Sequence, residues 1–220
     1  MLPANSLAVS KRVLEPQERI AEVLFGLIMV LTFTGSLSVA EAGRDDVRTM
    51  IIGALGCNLA WGLIDGVFYL MASLAERGKN LEALRAVRSA APDLGTQLVA
   101  TALPPLIASV LEPAELAAIR RRLLELPEPA DAARLCARDW LGATGVALLV
   151  FLCTFPVVVP FLLVAETSAA MRLSNAVAVA MLAVTGVAYG RQVGRSAWTF
   201  GLLMVVLGGL LVALTIALGG

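Results

Sequence analysis

The run MIIGALGCNLAWGLIDGVFYLMASLA, from Met50 to Ala75, carries one charged residue, Asp65, among apolar and small neighbours. As a helix it is long enough to cross a hydrocarbon layer, which takes about 20 mainly apolar residues. Outward from it, Ile20 to Ala40 precedes it, and Leu141 to Ala165, Leu173 to Gly190 and Ala197 to Leu218 follow with the same character. The expected fold is an all-α integral membrane protein of five transmembrane helices. Composition agrees, since 59% of the 220 residues are hydrophobic and only 15% charged, with a mean hydropathy of +0.85, outside the range of ordinary soluble domains.

The divisions follow from charge. Residues 1–19 form a polar segment with Lys11, Arg12 and Arg19, lacking the apolar core and cleavage site of a secretory signal. Residues 20–75 hold helices one and two, 76–139 a helical insertion, and 140–220 helices three to five. Fourteen of the 17 lysines and arginines fall in the amino-terminal segment, the insertion and the loop around Arg191 and Arg195; only Arg44, Arg48 and Arg172 fall opposite. By the positive-inside rule the amino terminus and insertion face the cytosol and the carboxyl terminus lies outside. Trp140, Tyr189 and Trp198 come at the cytosolic ends of helices three to five, where amphipathic rings favour the headgroup layer. A bacterial inner membrane is the default setting for so compact a chain.

In the insertion, Leu116, Ile119, Leu123 and Leu126 recur at helical spacing, and Pro92, Pro104, Pro105, Pro113, Pro127 and Pro129 cut it into short helices. The stretch from Leu98 to Leu111 is apolar but too short to span, and reads as a buried or interfacial helix.

Some classes of function are excluded. A net charge of zero argues against nucleic acid, whose binders carry a basic excess. There is no histidine, no phosphate-binding glycine loop and no cysteine pair at metal-finger spacing; Cys57, Cys136 and Cys153 stand apart. No residues offer enzymatic chemistry, and no covalently bound cofactor is expected.

Asp65 is the most informative residue. An acid in the middle of a span is costly and marks ion or proton pathways, with protonated interhelical glue as the plainer reading. Asn58, Gly62 and Tyr69 share its helical face, and Gly62 and Gly66 form a small-xxx-small step suited to close packing. Helix one carries Met29, Thr32, Thr34, Ser36 and Ser38, with Glu22 and Glu41 near its ends, where they read as interfacial. Counting rise from the span ends brings Thr34 and Asp65 both near the midplane, where they would meet. The expected ion pathway is therefore Asp65, Asn58, Thr34, Met29 and Tyr69. Carboxylate and amide oxygens with a thioether suit manganese or ferrous iron. Pro156 and Pro160 each leave a carbonyl without its donor, a helix break of the kind found near transporter sites. In the insertion Glu112 with Glu115 and Glu125 with Glu128 sit three apart, oxygen pairs for a divalent cation, against a plainer solvated face with Arg120, Arg121 and Arg122 nearby.

The order of two spans, a cytosolic helical insertion and three spans resembles the vacuolar iron transporter family over nearly the whole chain. Phe151-Leu-Cys-Thr-Phe-Pro-Val-Val-Val-Pro-Phe161 is similar to the family's third span, and Gly208-Gly-Leu-Leu-Val-Ala-Leu-Thr-Ile-Ala-Leu-Gly-Gly220 to its last. Thr34-Gly35-Ser36-Leu37-Ser38 resembles its Asp-Gly motif with threonine for aspartate, and Asp65 in Ile64-Asp65-Gly66 stands for the glutamate of its Gly-Glu-Tyr motif. The resemblance implies a homodimer that exports ferrous iron or manganese from the cytosol in exchange for protons, with insertion glutamates capturing the ion. Metal would then engage Asp65, Glu112, Glu115, Glu125 and Glu128, and the partners would be lipid, metal ion and proton. The alternative is a non-transporting scaffold or regulator acting through the cytosolic helices; a passive channel fits least, because helices four and five are nearly bare of polar groups.

Overall fold

The computed structural model describes residues 16–35, 44–128 and 131–217. Ser36, Ser38, Glu41, Lys11, Arg12, Pro129 and the last three residues, to which expectations were attached above, lie outside these. Among the described residues all regular structure is helical: α1 (Pro16–Gly35), α2 (Arg44–Ser89), α3 (Pro92–Ala102), α4 (Pro105–Ala108), α5 (Pro113–Leu124), α6 (Ala137–Leu152), α7 (Thr154–Leu163), α8 (Thr167–Gln192) and α9 (Ala197–Ala217). Four helical stretches are long and apolar enough to cross a membrane: Asp45–Ser89, Ala137–Leu163, Thr167–Gln192 and Ala197–Ala217. Helix α1, with 20 residues that include Arg19 and Glu22, is not among them, so four of the five expected spans meet that criterion.

The chain divides into two compact units, one of Met1–Tyr69 with Arg138–Gly220 and one of Leu70–Ala137. In the first, α1 lies against α7, α8 and α9. Its Leu27, Val30 and Leu31 are sealed in a cluster with Ala54, Cys153, Val157, Val158, Ala178 and Leu182. Of its polar side chains Thr34 is buried and Glu22 half-buried, whereas Arg19 and Thr32 are exposed. By contrast α9 leaves Trp198, Leu202, Leu203, Val206 and Leu210 more than half exposed, an outward apolar surface that suits lipid. Helices α8 and α9 form a tight hairpin, turned at Gly194, whose φ of 68° is a conformation side chains resist.

Helix α2 starts before Met50 and continues past Ala75 to Ser89 without interruption, and α8 begins before Leu173, which leaves Arg172 exposed inside the helix. Ser174 and Asn175 sit well within α8. The helix of span three is interrupted at Cys153, not at the prolines. Pro156 is the third residue of α7, where backbone N–H groups have no intrahelical acceptor, so it is accommodated. What Pro156 removes is the N–H that would have reached Leu152, and the chain resets between the two. Pro160 lies inside α7 without ending it.

In the second unit, Pro92, Pro105 and Pro113 each open a helix rather than merely closing the previous one. Helix α3 packs on α5, with Val87 and Val99 buried. Leu116, Ile119 and Leu123 are half-buried along α5, whereas Leu126 falls beyond its end and is exposed. Pro104 and Pro105 divide the Leu98 to Leu111 stretch as expected, and Leu106, Ile107 and Val110 are exposed rather than buried. Arginines from one face of α2 hold the returning chain by its backbone. Arg77 donates to the carbonyl of Arg134 at 2.6 Å and Arg85 to that of Asp131 at 2.8 Å. Arg88 donates to the carbonyls of Leu123, Leu126 and Pro127.

Candidate functional site

Helices α1 and α2 run antiparallel in a register that several contacts fix. Phe33 lies over Gly53, where a Cβ would come within 3.2 Å of its ring. Phe25 meets Trp61 edge to face, with centroids 5.2 Å apart. The Asn58 amide nitrogen donates to the Gly26 carbonyl at 3.2 Å, and the Asp65 and Glu22 side chains are hydrogen-bonded to each other. Numbers rise along α1 as they fall along α2, so Glu22 faces Asp65.

The other side of that α2 stripe rests on α6 and α7. A Cβ at Gly62 would come within 2.7 Å of the Ala147 carbonyl oxygen, and one at Gly66 within 3.1 Å of that of Ala143. The small-xxx-small step is thus a close helix contact, as its packing reading expects. Tyr69 lies over Gly142, where any side chain would collide with its ring. Asn58 donates to the Thr154 hydroxyl at 2.5 Å, and Asn58 and Thr154 are completely buried. Thr154 opens α7 just past the interruption at Cys153, so Asn58 ties together α1, α2 and α7.

Two carboxyl groups form a hydrogen bond only when one of them carries a proton, because carboxylates solely accept. A hydrogen bond between Glu22 and Asp65, both half-buried, therefore requires that one of them be protonated. With both protons gone, two facing carboxylates repel.

Structure and expectation part at Thr34. It is fully buried but donates to the carbonyl of Leu31 at 3.2 Å, and it lies twelve residues from Glu22, about 18 Å along α1. Thr34 and Asp65 therefore do not meet. The counts run from opposite edges, about 21 Å from Ile20 to Thr34 and about 22 Å from Met50 to Asp65, and in a layer about 30 Å thick these distances leave the two residues on opposite sides of the midplane. Glu22, read as interfacial, occupies the place opposite Asp65 instead. One signal for it was present, since Glu22, Gly26 and Met29 share a helical face at spacings of four and seven. Met29 is half-buried on that face. Thr154 was also missed, and so was Asp139, a buried carboxylate in the first turn of α6, where the helix dipole favours negative charge.

The prolines act at a distance from where they were expected to. The Cys153 thiol donates to the Val150 carbonyl at 3.0 Å, and Ser174 of α8 donates to the Val157 carbonyl at 2.7 Å, so side chains serve backbone acceptors along the interrupted span. In the second unit the Glu112 N–H donates to Glu115 Oε2 at 2.8 Å, the capping box that starts α5. Glu125 ends that helix, and all four of Glu112, Glu115, Glu125 and Glu128 are exposed. Arg120 donates to the Ala90 carbonyl at 3.1 Å. Among the described residues no three histidine, cysteine, aspartate or glutamate side chains converge as metal ligands. Compared with protein-family models and with curated proteins, the chain matches none.

Proposed function

We propose that the protein is a secondary transporter that exchanges a divalent metal cation, ferrous iron or manganese, for protons at the Glu22–Asp65 pair. The observation that carries this reading is the carboxyl–carboxyl hydrogen bond between α1 and α2, because ionisable groups within membrane segments belong to ion and proton pathways. A cation arriving at the pair displaces the bonding proton and meets two hard oxygen donors, the chemistry that manganese and ferrous iron accept. In this reading α1 is the fifth crossing: its Arg19 end lies at the cytosolic surface and Glu22 is reached from that side.

The distribution of lysine and arginine supports a cytosolic amino terminus and Leu70–Ala137 unit with an external carboxyl terminus, and the resemblance to vacuolar iron transporters supports export, as a homodimer, across a bacterial inner membrane. The exposed glutamates of α5 would gather ions loosely, since no third ligand joins them. The test is uptake of manganese into proteoliposomes against an imposed proton gradient. Asp65→Asn and Glu22→Gln should each abolish accumulation while leaving the protein folded. Accumulation unchanged in both variants would leave the pair as interhelical glue and favour the scaffold reading, in which the arginine-laced second unit binds a partner.

A further inference from the structure

Where α2 and α8 start and α7 ends, the first unit is indented by a cleft of about 490 Å³. That volume lies in the range of pockets that hold small organic ligands, about 300–1,000 Å³. Helix α2 lines it with Val47, Arg48, Ile51 and Ile52, which share one helical face, and the facing wall is the end of α7 with the start of α8. Phe161 and Ala170 in that wall are buried in a cluster with Met50 and Met171, against which Val47, Ile51 and Val164 pack. The floor of the cleft is therefore set by close-packed side chains.

Its chemistry is uneven. The floor is aliphatic and aromatic and offers water few of the two to four polar partners it needs. The charge comes from Arg48, two residues before the apolar run that starts at Met50, a depth at which arginine side chains reach the headgroup layer. Arg48 is exposed, and among the described residues no acid is bonded to it. Asp45 and Asp46 fall in the first turn of α2, where the helix dipole favours negative charge. Glu166, at the start of α8, accepts from the Ser168 hydroxyl.

In a bilayer apolar walls select little by themselves, because a hydrocarbon chain is as well placed among lipid tails as in the cleft. Selection falls to the guanidinium, which bonds a phosphate through two parallel N–H donors. A free phosphate would leave the apolar floor unused, and a metal cation would be repelled by Arg48. We propose that the cleft binds one glycerophospholipid, with its phosphate on Arg48 and one acyl chain laid against Ile51, Phe161 and Ala170. Arg48 is seventeen residues from Asp65 on α2, about 26 Å along the axis, so this site is separate from the carboxyl pair and stands whether or not the protein carries metal.

The test is native mass spectrometry of the delipidated protein in detergent, titrated with phosphatidylglycerol and with diacylglycerol of the same chains, which lacks the phosphate. One phosphatidylglycerol should bind about tenfold more tightly than diacylglycerol. Arg48→Gln should remove that preference, and Ala165→Phe, which adds a ring at an exposed position of the wall, should weaken both lipids. Arg172→Gln is the control, an exposed arginine near the start of α8 that does not line the cleft, and it should bind as the unaltered protein does. Equal affinity for the two lipids overturns the proposal, and this comparison needs no variant to fold. Equal losses in Arg48→Gln and Arg172→Gln would mean diffuse surface charge, and full binding in a folded Ala165→Phe protein would mean a chain outside the cleft. Displacement of the lipid by millimolar inorganic phosphate would mean a site for the free anion. Each of these overturns the proposal as well.

Discussion

Gly26→Ala should be among the most damaging single-methyl additions in this chain. The new Cβ would collide with Cys153 Sγ and lie 2.8 Å from the Val150 carbonyl oxygen, where ordinary contact begins at 3.4 Å. The sulfur is itself bonded to Val150 and the oxygen is backbone, so neither moves freely, and α1 has to back away by about half an ångström, overpacking that costs about 1–3 kcal/mol. Retreat of α1 also stretches the 3.2 Å bond from Asn58 to the Gly26 carbonyl, stranding a buried donor at about 1–3 kcal/mol. Alanine returns about 1 kcal/mol through its better helix propensity. The balance is a loss of about 1–5 kcal/mol. Gly56→Ala is the control, since nothing lies within 4 Å of its Cβ; it should be neutral or stabilising by up to about 1 kcal/mol. Equilibrium unfolding in detergent measures both, and adding Cys153→Ala to Gly26→Ala should restore part of the loss by removing the sulfur while leaving the Val150 contact. A Gly26→Ala protein as stable as Gly56→Ala would refute the α1–α7 packing and the Asn58 junction built on it.

Other perturbations separate the remaining claims. Maleimide should label the exposed Cys136 quickly and leave the buried Cys153 unmodified until the protein is unfolded; rapid labelling of Cys153 in the native state would place α7 elsewhere. Arg88→Ala removes the donor to the Leu123, Leu126 and Pro127 carbonyls, so limited proteolysis should cut after α5 much sooner, with a loss of about 2–3 kcal/mol; an unchanged cleavage pattern would deny the lashing. Glu115→Ala removes the capping box at the start of α5 and should cost about 1 kcal/mol, while Glu115→Gln should be nearly silent. Equal effects of the two, measured by thermal unfolding, would assign Glu115 another role.

Much of this architecture could be read from hydropathy, because a stretch such as Met50 to Ala75 has few other stable solutions. The contact face of α2 was equally legible: Asn58, Gly62, Asp65, Gly66 and Tyr69 fall together at helical spacing, and all but the partners could be named. Register was legible only to a few residues. Hydropathy marks the edge of the apolar run rather than the first hydrogen-bonded turn, which is at Arg44 rather than Met50, and distances counted from opposite edges, about 21 Å to Thr34 and about 22 Å to Asp65, do not meet in a layer about 30 Å thick, which leaves Glu22 to face Asp65. The arginines of α2 were hidden for another reason. Their acceptors are the carbonyls of Leu123, Leu126, Pro127, Asp131 and Arg134, and since every residue has a carbonyl, no side-chain pattern announces such a bond. Pro156 shows a third limit, because its effect falls at Cys153, upstream of the residue that causes it.

The most direct test is calorimetric titration of manganese into purified protein in buffers of different ionisation enthalpy, which counts protons released as metal binds. A cation that replaces the bonding proton of Glu22 and Asp65 should release about one proton per ion, and both the release and the binding should vanish in Glu22→Gln and Asp65→Asn. Binding without proton release, or release that survives both substitutions, would contradict exchange at this pair.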